Sequence, residues 1–274
     1  MSKRFPNVSI CTPTYNRRPF IPMIIKCFEQ QTYPRDKMEW IIIDDGTDKI
    51  EDLVKDIKGV KYFKYDDKMT LGKKRNLMHE KSTGSIIVYF DDDDYYPPDR
   101  VKHAVDNLLS NKKALCAGSS EMHVYYKHIN KMYSFGPYGP KHATAATFAF
   151  KRELLNITKY DETASLAEEK YFLKDYTIPF IQLHPKHTIL VFSHNHNTFD
   201  KKEFLKKVDG KIIKESIYTI DDFIKDDSIK KFLMDDIDNI LAEYDLGTIK
   251  HKPDVIKAMD VIKKERQAMF KKNQ

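Results

Sequence analysis

The residues best suited to chemistry form an acidic run, Asp91-Asp92-Asp93-Asp94, at the end of the apolar stretch 86–90 (IIVYF). Four successive carboxylates repel one another and add nothing to a core. At the end of a buried strand a divalent cation relieves that repulsion. Carboxylate oxygens suit Mg²⁺ or Mn²⁺, which also bridge phosphate oxygens and stabilise a leaving diphosphate. Taken alone, the run reads equally well as a solvated acidic turn capping the next helix. Asp44-Asp45-Gly46-Thr47 follows a second apolar stretch. Asp-Gly is a common turn, while an Asp at this place can also accept hydrogen bonds from a base or ribose. Thr14-Tyr15-Asn16-Arg17 follows a third. It offers a Tyr to stack on a base and an Arg to meet phosphate, or else an ordinary loop entering a helix.

These clusters need elements that bring them together. Residues 8–12 (VSICT), 40–43 (WIII), 60–65 and 86–90 read as strands, the first broken by Pro13. Residues 20–31, 50–57, 71–81 and 99–109 read as helices, with Gly84 expected to cap the end of the third and Asp99 the start of the fourth. Continuous apolar strands alternating with helices predict a mostly parallel sheet covered on both faces. In such sheets ligands bind beyond the carboxyl ends of the strands, and all three polar clusters fall there. The middle of the chain changes character. Residues 121–126 and 131–135 predict a hairpin around His128-Ile129-Asn130, 145–150 a strand, 166–174 a short helix, and 188–192 a strand leading into His194-Asn195-His196-Asn197. The aromatic loop 133–138, with Gly136 and Gly139, either borders an acceptor site or belongs to the core. After about residue 200, Lys- and Asp-rich helical patterns at 204–208, 221–225, 229–244 and 253–271 predict a helical C-terminal appendage without strong strands.

With 274 residues and 41% hydrophobic content, the chain suffices for one large domain, or one domain plus an appendage, and excludes global disorder. The net charge of +6 is spread along the sequence. It serves solubility, or a face that attracts phosphates, anionic lipid or nucleic acid. The three cysteines, Cys11, Cys27 and Cys116, form no CxxC pair and suggest neither a disulfide framework nor a zinc site. A reducing compartment fits them best. No stretch approaches the ~18 apolar residues of a membrane span, and the N-terminal MSKRFP has no hydrophobic signal region. The expectation is a cytoplasmic protein.

The order of the motifs resembles the family 2 glycosyltransferases with the GT-A fold. VSICTPTYNR, WIIIDDGT, LGKKRN and IIVYFDDDDYYPPDR come first, then FAFKRELL, KYDET, AEEKYFLKDY and VFSHNHNT. The likeness covers roughly residues 6–200. It implies a GT-A, Rossmann-like α/β domain over 1–200, with a nucleotide-sugar-binding half at about 1–118 and an acceptor half at 119–200, and a helical extension at 201–274. It implies that Pro13 (mainly through backbone), Tyr15 and Arg17 line the nucleotide pocket, and that Asp45 recognises the base. Lys74, Arg75 and Asn76 would contact the nucleotide or diphosphate. Asp91 and Asp93 would form the metal-binding Asp-x-Asp pair, Asp93 as direct ligand, with Asp92 facing the ribose or sugar. Ala167-Glu168-Glu169 stands where the family usually has Glu-Asp, the second acid being the general base of inverting members. Here that residue is Glu169, a longer side chain, with Glu168 as the alternative. His194 aligns with the family's late His, since Asn197-Thr198 follows, and would join the metal or the diphosphate. His196, two residues on, would face the same side of a strand.

The resemblance implies one inverting displacement from a nucleotide sugar. The expected donor is a UDP-sugar, because an Asp near the base suits uracil. The expected metal is Mn²⁺ or Mg²⁺, and the acceptor a hydroxyl on a glycan, a protein or a lipid-linked molecule. An acceptor hydroxyl must lose its proton as it attacks, hence the base. A sugar nucleotidyltransferase would want a Gly-rich basic loop straight after the first strand, and TPTYNRRPF has no glycine. A non-catalytic nucleic-acid-binding module finds no recognised motif. The Lys-rich C-terminal helices cover the sheet, touch a membrane surface or meet a partner.

Overall fold

The structure is a computed structural model that describes residues 5–165, 169–198 and 200–272. The first half alternates as predicted: β1 (Val8–Thr14), α1 (Ile21–Glu29), β2 (Met38–Asp44), α2 (Glu51–Val54), β3 (Val60–Lys64), α3 (Leu71–Lys81), β4 (Ile86–Tyr89) and α4 (Arg100–Ser110). There follow β5 (Cys116–Gly118), the hairpin of β6 (Met122–Tyr126) and β7 (Lys131–Phe135), β8 (Ala149–Lys151), α5 (Glu169–Phe172), β9 (Phe180–Gln182) and β10 (Leu190–Ser193).

Seven strands form the main sheet in the order β3-β2-β1-β4-β8-β5-β9. β1 runs parallel to β2 and β4, β2 to β3, and β5 to β9, while β8 is antiparallel to β4 and β5. The fold is therefore the expected α/β architecture with a mostly parallel sheet. Its strands are continuous apolar runs because both faces are covered. Trp40 and Ile42 enter one apolar cluster while Ile41 and Ile43 enter the other, the period-two alternation of a strand.

Several local expectations change. β1 continues through Pro13. The Cys11 carbonyl accepts from Phe90 N, so an N–H two residues on would point to the β4 side. Pairing there has already ended at Cys11↔Tyr89, and the missing donor breaks no bond. Helix α3 ends at Ser82, in extended conformation, rather than at Gly84. Gly84 is needed for close approach instead, since a Cβ would lie 2.5 Å from Ser9 N. Asp99 makes no side-chain capping bond, and its carboxylate meets His187 Nδ1 at 2.5 Å. Residues 145–147 form a 3₁₀ turn before β8.

The C-terminal region is more than helices. β11 (Ile213–Glu215) pairs antiparallel with β7, completing a second sheet in the order β10-β6-β7-β11. α6 (Ile220–Phe223), α7 (Asp227–Lys231), α8 (Ile237–Glu243) and α9 (Pro253–Lys272) follow, with a π-helical stretch at Phe232–Asp236 between α7 and α8. Ile224, Ile229, Leu233 and Ile237 are buried in the same apolar cluster as Val8 and Ile10 of β1. No described helix is long and apolar enough to cross a membrane.

Candidate active site

The carboxyl ends of β1, β2 and β4 lie side by side, and the three polar clusters meet there. After β1, Asn16 adopts a left-handed backbone (φ 52°), and its Oδ1 accepts from Thr47 N at 2.8 Å and Asp48 N at 3.0 Å. The loops after β1 and β2 are thereby locked together. Gly46 permits this, for a Cβ would lie 2.6 Å from Asn16 N. The two aspartates after β2 divide the work. Asp44 builds the turn, accepting from Gly46 N, Ile50 N and the Tyr62 hydroxyl. Asp45 faces α3, where its Oδ1 accepts from Lys74 Nζ at 2.6 Å and its Oδ2 from Met69 N at 2.6 Å.

Helix α3 is held by Thr70, whose hydroxyl accepts from Lys73 N. It turns Lys74, Arg75 and His79 inward. Arg75 stacks on the Tyr89 ring at 4.5 Å and sits 3.6 Å from Asp91. Asn76 lies on the same helix but contributes elsewhere. Its amide donates to Tyr160 O and accepts from Tyr160 N, clamping the chain that leads toward α5.

The acidic run is not a solvated turn. Asp92 and Asp94 are buried, and Asp93 is nearly so. Tyr96, stacked on Phe90 at 4.1 Å, accepts from Asp91 N and so fixes the start of the run. Arg17 reaches across from the β1 loop, with Nη2 at 3.3 Å from Asp93 and Nε at 3.6 Å from Asp92. Burial opposes ionisation of Asp93, but Arg17 and His194 overcome it and hold that carboxyl well below the usual range. Burial pushes Asp92 and Asp94 the other way, and the negative Asp93 adds to the rise. This splits the run, with one firmly ionised carboxylate flanked by two that resist ionisation.

His194 follows β10 and lies 3.4 Å from Asp93 Oδ2. Burial lowers it to about 4 against the pull of Asp93, so its imidazole is neutral at pH 7, with Nδ1 accepting from His196 N at 3.2 Å and Nε2 turned to Asp93 and the Asn197 amide. His196 does not join it at the acidic run. It packs toward Tyr244 and Gly247. Among the described residues no group of three or more His, Cys, Asp or Glu side chains converges on a metal position. Asp93 and His194 are the two side chains at the run that could share a cation, with water and phosphate oxygens in the remaining positions, the habit of Mg²⁺ at phosphate sites. Asp91 is directed toward Arg75.

These groups surround a cavity of about 430 Å³, lined by Pro13, Tyr15, Arg17, Lys74, Arg75, Asp91 to Asp94 and Glu169. That volume is within the range of small-molecule sites. Glu169 opens α5 and is half-buried on the cavity wall. Glu168 lies outside the described residues. Asp45 sits behind Lys74. Ala145 and Ala146 form a further wall, and their turn is held by Arg100, whose guanidinium donates to Thr147 O and Phe148 O.

Sequence reasoning missed the C-terminal contribution. Lys252, Asp254 and Val255 line the same cavity. Tyr15 donates to His251 O at 3.1 Å, Asn16 to Leu246 O at 3.3 Å and Arg17 to Gly247 O at 3.3 Å. Asp254 pairs with Lys68 and accepts from Ser165 at 2.9 Å. Nothing local distinguishes Lys252 among 47 lysines and arginines. Only long-range packing selects it.

The fold resembles that of solved glycosyltransferases. TarS residues 1–349 of S. aureus align with a TM-score of 0.55 at 19% identity, over 68% of this chain and 60% of that one. The mannosyltransferase PcManGT of Pyrobaculum calidifontis, in complex with GDP-Man and Mn²⁺, aligns with a TM-score of 0.54 at 19% identity, over 69% of this chain and 57% of that one. The S. aureus TarS complex with UDP-GlcNAc gives 0.52 at 18% identity, over 68% and 58%. The chain thus spans about 60% of the length of these structures, and the likeness is one of fold. The comparison with curated proteins returns no match. The sequence model of glycosyl transferase family 2 matches residues 9–164, from β1 to the chain before α5. That match covers more than half of the 274 residues and every strand end at the cavity except that of β10, and the chain belongs to glycosyl transferase family 2.

Proposed function

We propose that the chain is an inverting glycosyltransferase that moves a sugar from a nucleoside diphosphate sugar to an acceptor hydroxyl. The observation that carries this reading is the single cavity in which Arg17, Lys74, Arg75 and the buried acidic run meet Glu169. A diphosphate needs donors and cations, and an attacking hydroxyl needs a base. The cavity wall supplies both.

In this reading Tyr15 lies along the base, with Lys68 at 5.0 Å from its ring. Asp45, whose oxygens accept from Lys74 and from Met69 N, holds Lys74 as a donor toward a carbonyl on the base edge. Uracil and guanine both carry such a carbonyl; UDP is the proposed nucleotide and GDP the control. Asp92 faces the ribose or sugar, and Arg75 borders the diphosphate. Asp93 and His194 would hold Mn²⁺ or Mg²⁺, which supplies positive charge to the leaving diphosphate when bound. Glu169 accepts the proton of the acceptor hydroxyl as its oxygen bonds to the anomeric carbon from the face opposite the leaving group. The bond from that carbon to the diphosphate oxygen breaks, and the nucleoside diphosphate leaves with the electron pair.

The test is a panel of UDP- and GDP-sugars assayed for release of nucleoside diphosphate with and without Mn²⁺. Release from a UDP-sugar in preference to its GDP counterpart is expected. Preference for GDP-sugars would overturn the uridine assignment, and release from none would overturn the transferase reading.

A further inference from the structure

Lys252 stands outside the matched residues 9–164 and outside the segment 1–200 expected to hold the site, yet it lines the same cavity as the acidic run. It is 7% exposed. Its ammonium donates to Thr198 Oγ1 at 3.5 Å, and among the described residues no carboxylate comes within 4.0 Å. A buried ammonium without a close anion is costly unless a ligand brings one. The other buried cations at the cavity are already engaged, Arg17 with Asp92, Asp93 and Gly247 O, Lys74 with Asp45, and Arg75 with Asp91. Lys201 also reaches the cavity but is only half-buried. Among the described residues Lys252 is therefore the buried lysine at the cavity whose ammonium has no carboxylate partner.

The position of Lys252 is set by its neighbours in sequence. Leu246, Gly247 and His251 give their carbonyls to the β1 loop through Asn16, Arg17 and Tyr15. On the other side Asp254 is fixed by Lys68 and Ser165. Gly247 allows the approach, since a Cβ there would lie 2.6 Å from His196 Nδ1 and 2.9 Å from Asn16 O. The segment is thus fastened to the residues that face the nucleotide, and it delivers one ammonium beside Arg17 and the acidic run.

We propose that Lys252 is a donor-binding residue: its ammonium holds the diphosphate of the nucleotide sugar, and Lys252, Asp254 and Val255 form a wall of the donor site. This rests on the nucleotide-sugar reading above. It extends the donor site beyond the part of the chain that the family model matches. Three N–H donors of an ammonium suit phosphate oxygens, and the added negative charge offsets the cations gathered there.

The test compares the full-length protein with Lys252→Met, Lys252→Arg and, as control, Lys250→Met. Lys250 is exposed and paired with Asp245 at 2.7 Å. UDP and uridine are titrated, followed by ligand NMR, which also reads millimolar binding. Lys252→Met is expected to weaken UDP binding by about 10- to 100-fold, the range for a hydrogen bond to a charged group, and to leave uridine binding unchanged. Lys252→Arg recovers part of the loss, and Lys250→Met binds as wild type. In turnover the donor KM rises more than kcat falls. Melting of each variant without ligand separates a binding loss from a folding loss. Should Lys252→Met not fold, weakened UDP binding by Lys252→Arg with unchanged uridine binding carries the same conclusion. If wild type binds UDP and a folded Lys252→Met binds it equally well, or loses uridine to the same extent, this proposal falls while the donor-site reading stands. A wild-type protein that binds no nucleoside diphosphate overturns both.

Discussion

Arg17 is held from two sides at once, by the carboxylates of Asp92 and Asp93 and by the carbonyl of Gly247. It is the residue through which the acidic run and the C-terminal segment meet. The proposed reaction gives the acceptor's proton to Glu169, and this sets a prediction at the same scale. Glu169→Gln keeps size and hydrogen bonding but cannot accept a proton. Turnover is expected to fall about 10²-fold or more, with nucleotide binding retained. A Gln variant with wild-type turnover would move the base elsewhere, Glu168 first. Most of these positions were legible because their types and places agree, as with Tyr15, Arg17 and Asp93 at strand ends. For Asn76 the resemblance implies a nucleotide or diphosphate contact, while in the structure its amide clamps Tyr160. On a helix with four polar residues in succession, Lys73 to Asn76, periodicity alone does not say which face the cavity.

At the scale of elements, the βα alternation could be read from apolar runs because each strand is buried on both faces. β11 could not. IKE carries one apolar residue in three, and it forms an edge strand only because β7 offers it an antiparallel partner. The segment that follows α8 is equally hidden, being two short 3₁₀ turns tied to distant loops. Gly247 sits at its tightest point. Gly247→Ala puts a methyl group against His196 and the Asn16 carbonyl. Overpacking of this kind costs about 1–3 kcal/mol. Thermal melting should show a loss of that order together with weaker nucleotide binding, because the displaced segment carries Lys252. An Ala variant matching wild type in both would mean that the segment is not held where the structure places it.

For the whole molecule, pH dependence sums groups that pull in opposite directions. Buried His79, on α3, is lowered to about 3 by burial and then by Arg75 and Arg152, and its Nε2 meets the Tyr89 hydroxyl at 2.6 Å. A histidine with a depressed folded pKa binds fewer protons folded than unfolded. Its contribution is complete above the unfolded pKa of about 6.5 and is lost as pH falls toward about 3. Asp92 and Asp94, raised by burial, oppose this over the same acidic range. The difference between wild type and His79→Gln isolates the histidine. From pH 6.5 to 5 wild type should lose about 2 kcal/mol relative to the variant, read by urea unfolding at each pH. A difference independent of pH would show that His79 is not a buried neutral imidazole.

The helical C-terminal region shares its apolar cluster with β1 and supplies part of the cavity wall, so fold and site depend on the same long-range contacts. The claim that joins every scale is that Asp93, ionised beside His194 and Arg17, anchors a metal-assisted nucleotide-sugar site. The most direct measurement is release of nucleoside diphosphate from the preferred donor by wild type and Asp93→Ala, each with Mn²⁺ and with excess chelator. The account predicts release that requires Mn²⁺ in wild type and is abolished in a folded Asp93→Ala. Full release by that variant, or release by wild type that the chelator leaves untouched, would contradict it.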